Sequence, residues 1–434
     1  TVLKYDIEVS GFGSQALGHV CLLNLRDQTF PGSEGTKTKG WPTWTTPLMR
    51  WAKNQRAYTG YAHSASGLGI NPEAASERLL TQHGLLPARP ESKKGIKLEK
   101  AELAKLEKLL EEYRKQVEKA RFSERRAEAM LLPMPYDQVD TNNDGFIGWD
   151  ELVAAHRKAG ERLPNYAIPE MNGIGAQEIC VTVAQGLCDF ISAMDTNRVP
   201  EWNCWYHILN CGYPLKVSGE TDFPCITDSR VGQGRVYVQL GKIDKIDFKD
   251  WAEGLATGRS YVSDGYAHAL QFSVDGKVAG DRLKLAKPGR VTVKARVAFA
   301  AEMPLGTAQG GQLPKGKDRL VELIVNGQPV ANATIPADDR EYDIEFKDVP
   351  IERSSWVALR HFPQMHTNPV EVIVNDAPIR VSRKSALWCA GMIEQLWRVR
   401  ASAIHEDERT EAERVFDWAI QRYRKIADEA PPGS

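Results

Sequence analysis

Four places in the sequence put a metal-competent side chain at the border of an apolar run: Glu8 in DIEVSG, His19 in ALGHVCLL, His63 in TGYAHSA, and Glu220 with Asp222 in SGETDFPC. Each is read as the end of a strand. In parallel α/β architectures the carboxyl ends of strands face one crevice, so such residues converge although they lie far apart in the chain. Glutamate, histidine and aspartate together suit zinc, manganese or iron, as one or two ions. A divalent cation lowers the pKa of a bound water from ~15.7 towards ~7 and polarises the bond under attack. The chemistry expected is hydrolysis of an ester, carbamate, amide or phosphoester bond in a small-molecule or ester-type substrate. Asp222 and Glu220 are its candidate catalytic carboxylates, Asp222 as a ligand and Glu220 in proton transfer or in orienting a neighbour. Two plainer readings stand beside this: Glu220 as a hydrogen-bonding turn residue, and each histidine as a packed structural one. The equivalent placement of the four segments favours the metal.

A second cation site is written in DTNNDGFIGWDE, residues 140–151. It fits the twelve-residue calcium loop, with Asp140, Asn142 and Asp144 offering oxygens at positions 1, 3 and 5. Gly145 makes the turn, Phe146 offers its carbonyl, and Glu151 closes the loop as the bidentate ligand. Pro133 and Pro135 clip the entering helix, and only one such loop is visible, so a structural calcium is expected rather than a switching pair.

Other polar residues are weaker candidates for substrate contact. Glu178 in AQEICV is read as the end of a strand in the same domain, and His207 with Asn210 in WYHILNCG as neighbours one helical turn apart. Arg360, His361 and His366 in LRHFPQMHTNP are read as a polar loop able to reach substrate. Asp264 and His268 are expected to be structural, and the tryptophans at 41, 44, 51, 202 and 205 to be half-buried core.

The elements that must position these groups are legible in outline. Short strand-like and helical runs alternate up to about residue 85, as expected of a layered α/β domain. From Ile96 the apolar residues Ile96, Leu103, Leu110 and Val117 recur every seven positions, with Leu106, Tyr113 and Ala120 between them. That seam predicts a long charged helix and leaves oligomerisation open. After residue 164 the α/β pattern resumes. Beyond it, Asp275-Gly276, Asn326-Gly327 and the weaker Asn375-Asp376 mark hairpins of an all-β unit, before helical periodicity closes the chain. Five segments result: 1–95 and 164–265 as two parts of one α/β domain, 96–163 inserted between them, 266–380 as a β-sandwich, and 381–434 as helices.

Composition limits the partners. The chain has 434 residues and a formal net charge of -1, with no basic run, so neither nucleic acid nor an anionic membrane is indicated. No window approaches the ~18 apolar residues of a membrane span. Seven cysteines without a C-x-x-C pair are expected to be buried free thiols. The calcium loop and a start at Thr1 point to a secreted or periplasmic setting.

The strings IEVSGFGS, GHVCLLNL, GYAHSASG, NCGYPLKVSGETDFPC and GRVYVQL, in this order and spacing, resemble the carbaryl-hydrolase-like (CehA/McbA-type) branch of the PHP superfamily of metal-dependent hydrolases. The resemblance spans roughly residues 1–95 and 164–400. It implies a distorted seven-stranded β/α barrel, incomplete at its N-terminus, interrupted by the helical EF-hand-like insertion and followed by the sandwich and the helices. It also implies that Glu8 bridges two metals, that His19 and His63 complete one shell, and that Asp222 serves the second. The family's opening H-x-H strand is not in this chain, so an N-terminal fragment or partner chain would have to supply those ligands. Pro224 stands where the G-x-D-x-H signature of the superfamily ends in histidine. The alternative function is therefore a catalytically degenerate barrel acting as a calcium-stabilised binding or scaffold protein.

Overall fold

The computed structural model describes residues 6–10, 18–36, 39–91, 98–222, 231–303, 316–432 and 434. Ile96, Pro224 and Cys225 lie outside them. The fold is mixed α/β, and the chain divides into two compact units, residues 1–69 with 171–434, and residues 70–170.

The first unit opens with β1 (Ile7–Val9), β2 (Val20–Leu23), α1 (Thr45–Asn54) and β3 (Tyr58–Tyr61). The second unit supplies α2 (Pro72–Gln82), α3 (Lys100–Lys119), β4 (Arg121–Ser123), α4 (Glu124–Ala127), α5 (Tyr136–Val139), β5 (Phe146–Gly148) and α6 (Trp149–Ala159). The chain then returns to the first with α7 (Ile179–Ala184), β6 (Phe190–Ser192), α8 (Arg198–Asn210) and β7 (Lys216–Ser218). Among the described residues these strands make an open five-stranded sheet, β1-β2-β3-β6-β7, and no closed barrel. Its interior strand β6, parallel to both neighbours, is buried along its whole length, as expected of a parallel strand covered on both faces.

Next come β8 (Arg235–Val238), α9 (Phe248–Thr257) and β9 (Ser260–Ser263), then β10 (Ala267–Val274), β11 (Lys277–Val278), β12 (Arg282–Leu285), β13 (Gly289–Phe299), β14 (Asp318–Val325) and β15 (Gln328–Pro336). The last strands are β16 (Glu341–Ile351), β17 (Ser355–His361), β18 (Met365–Thr367) and β19 (Val370–Val374), before α10 (Arg383–Arg400) and α11 (Glu406–Glu429). A four-stranded sheet, β11-β10-β13-β16, and an eight-stranded one built around β17 and β19 share one apolar core that includes Phe272, Val293, Val297, Leu323, Leu359 and Val372. Strands β8 and β9 pair into this larger sheet, because β9 hydrogen-bonds β18 from Met365↔Ser263 to Thr367↔Tyr261. The GRVYVQL string thus extends the all-β part.

Local chemistry explains several helix ends. Asn71 caps α2, with Pro72 in its first turn, Asp247 caps α9, and Gly258 closes α9 in the left-handed region at φ 81°. On α11, Ala412, Phe416, Ala419, Ile420, Tyr423 and Ala427 form the buried stripe. In the second unit α2 packs on α6, and Leu79, Leu80, Phe122, Val139, Ile147 and Leu152 share its core. Helix α2, which the sequence places before the insertion, therefore belongs to this unit. The heptad residue Leu103 of α3 stays exposed, as does Leu109 outside the seam, and Tyr113 is its buried anchor.

Two of the three hairpin signals make hairpins: Asp275-Gly276 joins β10 to β11, and Asn326-Gly327 joins β14 to β15, all four residues at positive φ. Asn375-Asp376 adopts the same left-handed backbone but follows β19 and leads towards α10, because no strand lies beyond it to pair. A Cβ at Gly276 would meet nothing within 4 Å, so its cost is conformational alone. Gly276→Ala should lower the thermal midpoint by the equivalent of about 1 kcal/mol, and Gly276→Asn by less, because asparagine tolerates the left-handed region. Equal midpoints for all three proteins would overturn this.

Candidate metal centre

Strand direction brings the sequence-distant groups to one edge of the five-stranded sheet. β1 and β2 are antiparallel, β2 and β3 are antiparallel, and β3, β6 and β7 run parallel. The end of β1 therefore lies beside the start of β2 and the ends of β3, β6 and β7. His19 precedes β2 rather than ending a strand, and it reaches the common edge because β2 runs the opposite way.

Glu8, His19 and His63 form one group, with ligand atoms all within 4.8 Å of one another. Glu8 Oε1 lies 3.1 Å from His63 Nε2 and 3.2 Å from His19 Nδ1. Two ligands of a tetrahedral zinc, each ~2.0–2.1 Å from the ion, stand roughly 3.3 Å apart, so the spacing fits one cation. His19 is 7% exposed; its Nδ1 faces only the Glu8 carboxylate, and its Nε2 has no hydrogen-bond partner. A buried ring nitrogen without a partner is costly, and a metal would satisfy it. The His19 and His63 rings meet edge-on at 5.3 Å.

His63 is engaged at every polar atom. Its backbone N–H donates to Glu220 Oε1 at 3.1 Å, its Nε2 faces Glu8, and its Nδ1 lies 3.0 Å from Asp195 Oδ2 and 3.3 Å from Asp222 Oδ2. Asp222 thus touches the nitrogen turned away from Glu8, outside the Glu8–His19–His63 group. A second group consists of His63, Asp195 and Glu220. Asp195, in SAMDTN just beyond β6, carries the same sequence signal as the others, an apolar run ended by a carboxylate. Both His63 (φ 45°) and Asp222 (φ 44°) sit in the left-handed backbone region, which such residues enter only under constraint and which recurs at functional sites.

The constraint comes partly from segment 171–177, laid across the His63 turn. Met171, Gly175 and Ala176 donate backbone N–H groups to Gly67, Ser66 and Ser64, and His19 N–H bonds the Ile174 carbonyl at 2.9 Å. The approach requires glycine: a Cβ at Gly175 would stand 2.3 Å from the His63 carbonyl oxygen.

The acids outnumber the bases here. Hydrogen bonds from His19 and His63 hold Glu8 down at about 2. Burial would lower His63, but Asp195 and Glu8 outweigh it and raise the imidazole to about 11. Burial, with Asp195 nearby, pushes Glu220 up to about 8, and burial also raises Asp222.

The remaining candidates are tied into packing. Glu178 precedes helix α7 rather than ending a strand, since the apolar AQEICV run is helical. It is fully buried, accepts the Thr45 N–H at 2.8 Å and the Thr46 hydroxyl at 3.1 Å, and so caps α1, whose own cap residue Trp44 makes no side-chain bond. His207 and Asn210 both bond Ser385 Oγ, at 3.0 and 3.2 Å, and Asn210 also accepts from Trp356 Nε1. Arg360, in β17 rather than a loop, pairs with Glu322 at 2.7 Å and bonds the Tyr206 hydroxyl at 3.2 Å. His366, in β18, bonds the same hydroxyl at 2.7 Å. His361 bonds the Leu320 carbonyl, Asp264 accepts from Gln364, and His268 meets the Tyr261 hydroxyl. Trp44, Trp202 and Trp205 are core, and the six described cysteines are free thiols.

The 140–151 segment folds as a tight loop of Asx turns. Asp140 Oδ2 accepts the Gly145 N–H, Asn142 Oδ1 that of Asp144, and Asp144 Oδ1 that of Phe146. Gly145 sits at φ 80°. Glu151 turns back over the loop, accepting from the Thr141, Asn142 and Gly148 N–H groups, and these outweigh its burial to lower its pKa. Asp140 Oδ1 is buried with no hydrogen-bond partner. The exit of the loop, β5, pairs antiparallel with β4.

The charge balance predicts a pH dependence for metal-free protein. The stabilisation due to a raised His63 is complete below its ordinary 6.5 and is lost as pH climbs towards about 11. Glu220 works in the same direction between its ordinary 4.5 and about 8, since its folded form holds the proton longer. Chelator-treated protein should therefore lose stability between pH 6 and 8, by up to about 1.4 kcal/mol per pH unit for each group. His63→Gln should flatten that decline, and an unchanged slope in the variant would overturn the assignment.

No protein-family model matches the chain, and no curated protein or solved structure matches it either.

Proposed function

We propose that the chain is a metal-dependent hydrolase of the PHP type, holding a transition metal on Glu8, His19 and His63 and cleaving an ester, carbamate, amide or phosphoester bond. The observation that carries this reading is the Glu8–His19–His63 group, in which the buried His19 Nε2 has no hydrogen-bond partner and all three ligand atoms lie within 4.8 Å of one another. Three ligands leave an open position, which catalytic rather than structural zinc requires. When bound, a divalent cation supplies Lewis acidity and brings the pKa of an adjacent water down towards ~7. Glu220, fixed against the His63 backbone N–H, is the group assigned to proton transfer, and Asp222 stands 3.3 Å from His63 Nδ1. The likeness of the GHVCLLNL, GYAHSASG and SGETDFPC strings to the carbaryl-hydrolase-like branch supports the same reading, and the resemblance makes zinc, manganese or iron the expected ion.

In the second unit we assign calcium to the 140–151 loop, with Asp140, Asn142, Asp144, the Phe146 carbonyl and Glu151 as ligands. The buried, unpartnered Asp140 Oδ1 supports it.

Elemental analysis should find a transition metal and calcium, and His63→Ala should remove the first while retaining the second. Protein that holds no transition metal after incubation with zinc, manganese or iron would leave the scaffold alternative. Glu151→Gln should weaken calcium binding at least tenfold by calorimetry and remove most of the calcium-dependent rise in melting temperature, while transition-metal content stays unchanged. A wild-type titration curve in that variant would overturn the calcium assignment.

A further inference from the structure

Resting on that reading, we propose that Asp195 is a positioning residue that accepts a hydrogen bond from the Nδ1–H of His63 and so fixes the tautomer whose Nε2 lone pair points at the metal beside Glu8 and His19. The two nitrogens of one imidazole face different companies. Nε2 lies 3.1 Å from Glu8 Oε1, while Nδ1 lies 3.0 Å from Asp195 Oδ2. A ligating histidine that donates its second ring N–H to a carboxylate is held in one tautomer and orientation, and the carboxylate raises its basicity.

The position of Asp195 suits this role. It is fully buried, and its described hydrogen bonds run to the His63 ring and, on its other oxygen, to the Ser192 hydroxyl at 3.5 Å. Glu220, the third member of the second group, is spent on the His63 backbone N–H. The neighbouring Thr196 hydroxyl accepts the Ala65 N–H at 3.0 Å, which ties the turn carrying His63 to the turn carrying Asp195. Ring and carboxylate are thereby fixed by two independent contacts between the ends of β3 and β6. Asp222, at 3.3 Å from the same nitrogen and more exposed, is the alternative acceptor.

The test uses full-length protein, zinc and a chelator competitor, with elemental analysis for stoichiometry. Asp195→Asn should weaken zinc binding about 10–100-fold with the number of ions per chain unchanged, and Asp195→Glu should recover part of the loss. A fall in stoichiometry by one ion would make Asp195 a ligand of a second metal and overturn the proposal, as would an affinity within about twofold of wild type. Should Asp195→Asn fail to fold, nitrogen-15 spectra of zinc-loaded wild type decide: a His63 protonated at Nδ1 supports the proposal, and one protonated at Nε2 overturns it. His19→Ala tests the underlying metal reading separately. If that variant keeps the zinc affinity of wild type, the Glu8–His19–His63 site fails whatever Asp195 does.

Discussion

The candidate site depends on one constraint, that the His63 side chain has a single place to go. Its backbone N–H, both ring nitrogens and its carbonyl are each engaged, and its φ of 45° is a conformation that a histidine keeps only when its surroundings dictate it. Four carboxylates, Glu8, Asp195, Glu220 and Asp222, converge on that ring, and two imidazoles cannot balance them. Such an excess is unfavourable in a partly buried place unless protons or a cation offset it. The same crowding that raises His63 and Glu220 in the metal-free protein is what would draw in a divalent ion.

The sheet makes this convergence possible without long loops. Parallel β3, β6 and β7 present their ends together, and the antiparallel β1–β2 pair adds Glu8 and His19 by reversing direction at the same edge. Glycine then lets segment 171–177 lie close enough to lock the turn after β3. The capping of α1 by Glu178 shows the other use of a buried acid in this domain: it receives a helix N-terminus instead of a metal, and burial pushes it up to about 7.

Much of this was legible in the sequence, and the failures have physical causes. Glu8, His19, His63 and Glu220 were visible because a polar residue bordering an apolar run marks a sheet edge. Asp195 carried the same mark and went unread because no histidine or glycine-rich turn stood beside it. AQEICV reads as a strand but folds as a helix, since a short apolar run fits either element equally well. Arg360, His366, His207 and Asn210 looked available for substrate, yet polar residues in a sheet or on a helix also hydrogen-bond one another in a core, and spacing alone does not separate the two uses. The hairpin dipeptides were dependable where a partner strand followed, and the left-handed turn at Asn375 formed even without one. Membership of β8 and β9 in the larger sheet was illegible, since pairing with β18 over a hundred residues later leaves no local trace.

The β3–β6 ladder has a consequence for how the protein reaches its native state. Gly60 and Phe190 are neighbours in the sheet, yet the whole second unit is strung between them. Bringing them together costs loop-closure entropy, and a contact so distant along the chain forms slowly. If residues 70–170 collapse first around their own core, they shorten that loop and leave the ladder to zip afterwards. The candidate site would then be among the last features to assemble, after most of the secondary structure has formed.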